Sequence, residues 1–258
     1  MKTIKELYEY RTMISSLVVR DLRGRYKGSV LGFAWTLINP LLQLIVYTFV
    51  FSTIMRAGIE DYYLFLFVAL IPWIMFSSSV TGGASCILSQ KSLVSKIYFP
   101  REVIPISHVT TQLVNMLLSM IVVFVVVLFS GKGVNIEALL FLPLVIIVEY
   151  ILAVAIALIV SAVTVYFRDF EHIMGILVFA WQFLTPVMYS TDMVPEKLMS
   201  IYNLNPMTPI IVSYRDILYY KKCPDAKMLI VGLGFSVILL IIGWFVFGKL
   251  KKHFAEEI

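Results

Sequence analysis

Six apolar runs, each long enough to cross a bilayer, constrain this chain more than any other feature. A helix needs about 20 predominantly apolar residues to span the hydrocarbon core of a membrane. The sequence holds such runs over 31–54, 62–85, 109–130, 139–167, 172–190 and 228–248. The alternating ten-residue strand pattern of membrane barrels does not recur along the sequence. We therefore predict an all-α integral membrane protein with six transmembrane helices.

The composition agrees with this prediction. The chain has 258 residues, of which 60% are hydrophobic and 14% are charged, whereas an average soluble domain is about 45–50% apolar and about 25% charged. The net charge of +5 is better explained by the topology of a membrane protein than by nucleic-acid binding. We therefore expect membrane lipids, and no nucleic acid, among its partners.

The distribution of lysine and arginine predicts the orientation, because positive charges beside the spans tend to stay in the cytoplasm. With six spans, fourteen of these residues fall on the side of the two termini and seven on the other side. Both termini are therefore predicted to be cytoplasmic. No cleavable signal is expected, since the first apolar run begins about thirty residues into the chain and is too long for a signal-peptide core.

The stretch 17–40 combines a basic interfacial helix with the beginning of the first span. Apolar residues at mostly three- and four-residue spacing alternate with basic ones, which is typical of a helix lying in the membrane interface. We predict that this basic helix, within a segment 1–30, continues without a break into the first span. Gly24, Gly28 and Gly32 follow at four-residue spacing, which allows close approach of another helix or a lipid. The segment is interpreted either as a simple anchor or as a docking surface for a partner.

The loops on the predicted cytoplasmic side are short. Residues 92–107 contain several apolar side chains and two prolines, so we predict a short helix that is buried against another protein, with a bilayer-lying turn as the alternative. Residues 166–173 contain Arg168, Asp169 and Glu171, which form either a local ion pair or a second contact to the same partner.

The fifth loop is long and is predicted to lie outside. Pro195, Pro206, Pro209 and Pro224 divide it into two apolar segments, each too short to span a membrane. Segments of this kind form interfacial or re-entrant helices where protein or a watery cavity satisfies their backbone. We predict that they form a lid at the outer end of the spans.

Glu149 is the one acidic residue well inside an apolar run. Carboxylates within membranes are costly and usually face the interior of the bundle, which makes this residue a functional candidate. The alternative is a hydrogen bond to another helix, through a residue such as Gln112, Asn115 or Gln182, or a protonated side chain.

Signals of catalysis are weak. The three histidines are scattered, and no cysteine or carboxylate stands at metal-ligand spacing from them. The segment 243–250 imitates a phosphate-binding loop, but Leu250 occupies the place of the Ser or Thr that would meet magnesium. We therefore predict a chain that is not an enzyme, with Cys86 and Cys223 as unpaired thiols.

Aromatic residues are dense in the first and fifth spans. Lipid packing and the interfacial belt account for most residues of this kind. A subset is a candidate lining for a sugar path, because aromatic rings suit the apolar C–H faces of sugars. The candidates are Trp35, Tyr47, Phe51, Trp181, Phe183 and Tyr189.

Four blocks of sequence resemble a known family. They are RDLRGRYKGSVLGFAWTLINPLL at 20–42, LIPWIMFSSSV at 70–80, KIYFPREVIPIS at 96–107, and YFRDFEHI at 166–173 with PEKLMSIYNLNPMTPII at 195–211. Their order and spacing are similar to those of the membrane subunits of type-2 ABC exporters of polysaccharides, the O-antigen, capsule and teichoic-acid permeases of the Wzm and TarG kind. The resemblance extends over nearly the whole chain.

The resemblance implies a transmembrane domain over 31–248, a cytoplasmic tail over 249–258, and a homodimer in the bacterial inner membrane bound to two copies of a cytoplasmic ABC ATPase. No cofactor binds the permease directly, since ATP and magnesium sit on the ATPase. The residues implied in coupling to the ATPase are Arg20, Asp21, Arg23, Lys96, Phe99, Pro100, Arg101, Glu102, Arg168 and Asp169.

The cargo implied by the resemblance is a polysaccharide linked to undecaprenyl diphosphate, which threads between the first and fifth spans of the two copies. Arg20, Arg23, Arg25 and Lys27 are the expected contacts of the lipid diphosphate. Two short gate helices are expected between the fifth and sixth spans, at about 195–203 and 208–220. Gate residues are Pro195, Asn205, Pro206, Pro209, Tyr214 and Arg215.

Two other functions remain open from the sequence. One is a proton-coupled secondary transporter with Glu149 and His172 as relay groups, although no inverted repeat is detectable and intramembrane ionisable residues are few. The other is a membrane glycosyltransferase or polymerase, which would need a constellation of charged residues at one membrane face.

Overall fold

A computed structural model of the chain describes residues 2–26, 31–56, 58–131 and 133–257. Within these ranges all regular secondary structure is helical. The helices are α1 (Lys2–Glu9), α2 (Arg11–Tyr26), α3 (Trp35–Thr48), α4 (Tyr62–Ser89), α5 (Lys91–Lys96), α6 (Val103–Phe129), α7 (Ile136–Leu139), α8 (Leu142–Tyr166), α9 (Phe170–Leu184), α10 (Glu196–Asn203), α11 (Met207–Leu218), α12 (Ala226–Leu250) and α13 (Phe254–Glu257).

Five helical segments of the described chain are long and apolar enough to cross a bilayer: Trp35–Ile54, Tyr62–Ser89, Val103–Phe129, Ile136–Tyr166 and Ala226–His253. The remaining predicted span, the fifth in chain order at 172–190, is a shorter helix, Phe170–Leu184. It ends because Thr185 precedes Pro186 and takes an extended conformation, with φ −109° and ψ 140°, as residues before proline tend to do. The predicted fifth span therefore ended six residues beyond the end of the helix at Leu184.

Two helices form the centre of the bundle. In the most apolar window of α4, 78% of the residues are buried, and in that of the segment containing α8 the figure is 67%. α4 packs against α3, α6, α8 and α9, and α8 packs against α4, α6 and α12. Hydroxyl groups in these helices bond to their own backbone, for example Ser79 to Met75 O and Thr164 to Val160 O, each at 2.7 Å. Such bonds let hydroxyls sit in apolar surroundings without an unmet partner.

A glycine allows α12 to approach α8 closely. A Cβ atom built on Gly243 of α12 would lie 2.6 Å from the carbonyl oxygen of Ala155 on α8. The two backbones can approach this closely only because Gly243 has no side chain.

Side-chain bonds define two sides of the bundle. We call the side on which α12 ends the terminal side. There, Tyr166 donates to Leu250 O at 2.7 Å and the Lys251 ammonium contacts the Glu102 carboxylate. On the far side, Tyr62 donates to Met188 O at 2.7 Å. There too, Asn135 Nδ2 donates to Lys221 O at 3.0 Å. These bonds fix the loop segments of each side to one another.

The basic N-terminal segment forms two helices, and the second does not continue without a break into the first span, although the sequence predicted that it would. α1 ends at Glu9 and α2 begins at Arg11, and α2 ends at Tyr26. Before α3, the backbone turns at Gly32, whose φ of +46° lies in the left-handed region that glycine tolerates. α2 packs on α6 through a side that includes the buried Leu17.

The segment predicted as a helix buried against another protein is organised differently. α5 covers only Lys91–Lys96, and α6 already begins at Val103, with Pro105 tolerated in its first turn. Val94 and Phe99 are buried in the chain's own core. The prediction that this segment needs a foreign protein to cover its apolar side chains was thus wrong for these two residues.

Candidate functional site

Helix α11 is inserted into the bundle. Eleven of its twelve residues are buried, and it contacts α4, α8 and α12. Its bounds, and those of α10, agree with the two short helices predicted between the last two apolar runs. The lid prediction was wrong for α11, because this helix packs between other helices instead of covering their ends.

Glu149 meets α11. The Tyr214 hydroxyl donates to Glu149 Oε2 at 2.6 Å, and both side chains are fully buried. Among the described residues, Glu149 Oε1 has no hydrogen-bond partner. The predicted interhelical bond therefore exists, but its partner is Tyr214 and not Gln112, Asn115 or Gln182. Sequence spacing gave no signal for this pair, since 65 residues separate the two.

Arg215 joins three segments on the far side. Its guanidinium donates to the carbonyl oxygens of Phe65 at 3.3 Å, Val187 at 2.6 Å and Tyr189 at 3.0 Å. It also stacks over the Phe65 ring, with Cζ 3.5 Å from the centroid. Burial lowers the pKa of Arg215 to about 9, which still leaves the guanidinium charged at pH 7. A cation held by neutral acceptors in this way fastens α11 to α4 and to the chain that follows α9.

The next residue, Asp216, pairs with Lys222 at 3.2 Å. Burial raises the pKa of the Asp216 carboxyl, and the hydrogen bond and charge of Lys222 oppose that rise. Lys222 is itself largely exposed, so this ion pair lies where α11 emerges from the bundle.

Asn205 connects the end of α9 to the start of α11. Its Oδ1 accepts from Trp181 Nε1 at 2.8 Å and from the Met207 backbone at 3.0 Å. Its Nδ2 donates to Leu184 O at 3.0 Å and to Thr185 Oγ1 at 2.9 Å. An amide with all these bonds holds the chain rigidly at the point where α9 ends.

A cavity of about 600 Å³ lies beside this amide. It is bounded by the end of α9, by α10 and by the chain between α9 and α11. Six residues predicted for the sugar path or the gate line it together: Trp181, Phe183, Tyr189, Pro195, Asn205 and Pro206. The structure therefore joins two sets that the sequence could only place in separate segments. Pro209, Tyr214 and Arg215, the other predicted gate residues, are buried in α11.

The path residues predicted in the first span lie elsewhere. Phe51 stacks on Tyr62 with ring centroids 6.1 Å apart, and Tyr47 packs partly buried against the core. Trp35 is 39% exposed and lines a second cavity between α3, α4 and α6. Within one chain, these three residues do not meet the cavity beside Asn205.

On the terminal side, two predicted coupling residues bind the end of α12. The Arg101 guanidinium donates to Lys251 O, and Glu102 pairs with the Lys251 ammonium. Lys251 was absent from the predicted set, because only the fold brings residues 149 positions apart together. Tyr98 was missed as well. It is 95% exposed, and its position as an aromatic residue within the predicted docking segment 92–107 was the available signal.

The other coupling residues are distributed over the surface. Arg20 pairs with Asp21 at 3.1 Å and is about half exposed. Arg23, Lys96, Arg168 and Asp169 of the same set are exposed, while Pro100 is half-buried. Of the expected diphosphate contacts, the side chain of Arg25 and the whole of Lys27 lie outside the described residues.

Comparison with known proteins identifies relatives of full length. The family model described as ABC-2 type transporter matches residues 12–219. The chain is 38% identical over 260 residues to the O-antigen export system permease protein RfbA of Myxococcus xanthus, with 100% of both chains covered. It is 33% identical over 257 residues to the protein of the same name from Klebsiella pneumoniae, covering 98% of this chain and 99% of the relative. It is 23% identical over 239 residues to the polysialic acid transport protein KpsM of Escherichia coli, covering 90% and 91%.

Proposed function

We propose a specific role for this chain, which belongs to the ABC-2 type transporter family: it is the permease subunit of an ATP-driven exporter that carries a lipid-linked polysaccharide of the O-antigen class across the bacterial inner membrane. The observation that carries this proposal is the 38% identity to an O-antigen export permease over the full length of both chains. The fold supports it, since the described chain has five helices long and apolar enough to cross a membrane and one shorter apolar helix, as a membrane permease requires.

The cavity beside Asn205 supports a path for sugars. Its lining combines Trp181, Phe183 and Tyr189 with the Asn205 amide and two prolines, and aromatic rings with a few polar groups are typical of small-molecule sites. α9 and α3 both expose apolar faces, so a second copy of the chain can complete the path between them. The homodimer is part of this proposal.

ATP hydrolysis is assigned to a separate ATPase pair on the terminal side. The exposed Tyr98 and Ile97 stand beside the buried Phe99, so an apolar projection follows directly after α5. Because Arg101 and Glu102 bind Lys251 at the end of α12, a push on this projection is transmitted to a spanning helix. Such coupling requires the ATP-bound partner to favour one arrangement of the spans.

The proton-coupled alternative receives less support. Its two relay residues lie on different sides of the bundle: Glu149 is bonded to α11, whereas His172 is exposed at the start of α9. Dissipating the proton gradient while ATP is held constant should leave export unchanged. Export that stops with the gradient would contradict the proposal.

Deletion of the gene tests the main claim. Cells that lack the chain should lose surface O-antigen and accumulate the lipid-linked polymer inside, and complementation should restore the surface polymer. Loss of a capsular polymer instead of O-antigen would correct the cargo. Unchanged surface polysaccharide would overturn the proposed function.

The orientation, with both termini cytoplasmic, has a direct test in the native thiols. Cys223 is exposed on the far side and Cys86 is buried. A membrane-impermeant maleimide, applied to cells with a permeabilised outer membrane, should label the wild-type chain and not Cys223→Ser. Labelling that requires disruption of the inner membrane would reverse the orientation.

A further inference from the structure

A second cavity lies in the middle of the membrane-spanning region, away from the cavity beside Asn205. It has a volume of about 450 Å³ and lies between α3, α4 and α6. Gln112 and Ser119, two of the residues that line it, are the tenth and seventeenth of the 27 residues of α6. The cavity is therefore near the middle of a spanning helix, where water is scarce. We call it the mid-span cleft.

The lining of the mid-span cleft is polar and neutral. Seven of its thirteen lining residues carry a side-chain hydroxyl or amide, and none of the described residues that form it is ionisable. The polar lining comes from all three helices and includes Asn39, Gln43, Ser78, Gln112, Asn115 and Ser119. Polar side chains in spanning segments are costly and usually mark a pathway for a substrate.

Two amides of this lining lack partners. Gln112 is 3% exposed and Asn115 is 9% exposed. Gln112 Nε2 and Asn115 Oδ1 are buried, and neither has a hydrogen-bond partner among the described residues. Leaving a buried polar atom unsatisfied costs about 1–3 kcal/mol, so two such atoms, on side chains that line the cavity, favour a polar over an apolar occupant.

The chemistry of the cleft selects one class of ligand. A lipid diphosphate would need cationic donors, and the described lining has none. An acyl or isoprenoid chain would leave both amides unpaired. An uncharged sugar fits, because its hydroxyls both donate and accept, and its C–H faces can pack on Trp35, Ile71 and Met75 in the same lining. The volume also lies within the usual range for ligand pockets, about 300–1,000 Å³.

We propose that the mid-span cleft is a binding site for uncharged sugar units of the exported glycan, with Gln112 and Asn115 as hydrogen-bonding residues and Trp35 as an apolar platform. This inference rests on the proposed function, because it takes its cargo from it. It adds a site on the inward side of α3, formed within one chain.

Photocrosslinking in cells tests the site without a purified ligand. Benzoylphenylalanine is placed at Gln43, which lines the cleft and is exposed. Leu117, 44% exposed on α6 and outside the lining, is the matched control position. After irradiation, vicinal diols of any attached glycan are oxidised with periodate and labelled with a hydrazide. We expect a glycan-bearing adduct from position 43 and none from position 117.

Other crosslinking results at position 43 would contradict the proposed sugar site. Phospholipid alone, or a second copy of the chain alone, at position 43 in cells that still export would overturn the sugar site. If gene deletion abolishes surface polysaccharide but position 43 gives no glycan adduct, the proposed function stands and this inference fails. If gene deletion has no effect, both fail.

Substitution of the two amides gives an independent test that also applies if the bulky group at position 43 stops export. Gln112→Leu and Asn115→Leu each remove an unpaired polar group, so the melting temperature should stay or rise, while loss of one ligand bond should lower export by about two- to tenfold. Leu117→Met on the lipid-facing side should change neither. A fall in melting temperature together with normal export would assign the amides a structural role and overturn the proposal.

Discussion

Helices α3 and α4 have similar composition and opposite environments. The most apolar window of α4 is 78% buried, whereas that of the segment 35–54 is 6% buried. α9 resembles α3, since only Met174 and Val178 of its fifteen residues are buried. Hydropathy therefore reports that a helix is in the membrane but not whether lipid, protein or cargo covers it. The buried helices α4, α8 and α11 form a scaffold, and α3 and α9 present surfaces for other molecules.

The largest effect is expected where one side chain holds the scaffold together. Arg215→Met should destabilise the chain by at least about 3 kcal/mol, because hydrogen bonds to a charged group contribute about 1.5–3 kcal/mol each and three carbonyl oxygens lose their donor. The measurement is thermal unfolding in detergent, followed by size-exclusion chromatography. Arg215→Lys keeps the charge but cannot reach all three acceptors, so its stability should lie between that of the wild type and that of Arg215→Met. Wild-type stability of the Met variant would refute the role of Arg215 as a fastener.

A smaller effect is expected at the pair of Tyr214 and Glu149. Tyr214→Phe leaves both carboxylate oxygens buried without a donor, which should cost about 1–3 kcal/mol. The double variant Tyr214→Phe/Glu149→Leu removes the unpaired group and should recover most of that loss in the same thermal assay. If the loss of stability in the double variant equals the sum of the losses in Tyr214→Phe and Glu149→Leu, the two side chains do not act as a pair, and their bond does not connect α8 to α11.

Two glycines compare a helix face that packs on the scaffold with one that does not: Gly243 of α12 lies against α8, whereas Gly175 lies on α9. Gly243→Ala places a Cβ 2.6 Å from Ala155 O, and overpacking costs about 1–3 kcal/mol, offset in part by the higher helix propensity of alanine. Gly175→Ala on α9 is the control, since its Cβ would meet nothing within 4 Å. We expect a lower melting temperature for the first and an unchanged or higher one for the second. Equal shifts would remove the distinction between the two classes of helix.

The smallest effect on stability is expected on the helical segment Trp35–Ile54, which contains α3. Ile45→Ala and Phe49→Ala replace side chains that are 64% and 59% exposed, so each should change the free energy of unfolding of the isolated chain by less than about 0.5 kcal/mol. Both should be measured as the separated chain and as the assembled exporter. A larger loss only in the assembly would identify this face as an interface, whereas a large loss in the separated chain would contradict its exposure.

The sequence anticipated several elements to within a few residues. The apolar runs matched five long helices, and the prolines of the fifth loop correctly indicated two short helices. The boundaries at Val103 and Leu184 were misplaced for a local reason: proline is tolerated in a first turn, as at Pro105, but extends the residue before it, as at Thr185. Both prolines are visible in the sequence, but whether a proline lies in the first turn of a helix or just after its last turn is known only once the helix ends are known.

Partners across long separations could not be predicted. An interhelical bond was one of the expectations for Glu149, but its partner Tyr214 lies 65 residues away, on a segment that was expected to form an interfacial or re-entrant helix. Lys251 reaches Glu102 across 149 residues. Periodicity and spacing describe one element at a time, and these contacts depend on how elements are arranged around α4.

By itself, the sequence determined the class of protein, the number of apolar segments and the candidate family, because the solvation of a backbone in hydrocarbon leaves few alternatives to helices about 20 residues long. Only the folded bundle shows that α11 is buried, that Arg215 binds three carbonyl oxygens, that aromatic residues of α9 share a cavity with Asn205, and that two amides of α6 line a polar cleft with residues of α3 and α4. The physical reason is that burial and hydrogen-bond satisfaction belong to the packed bundle, and no single segment carries them.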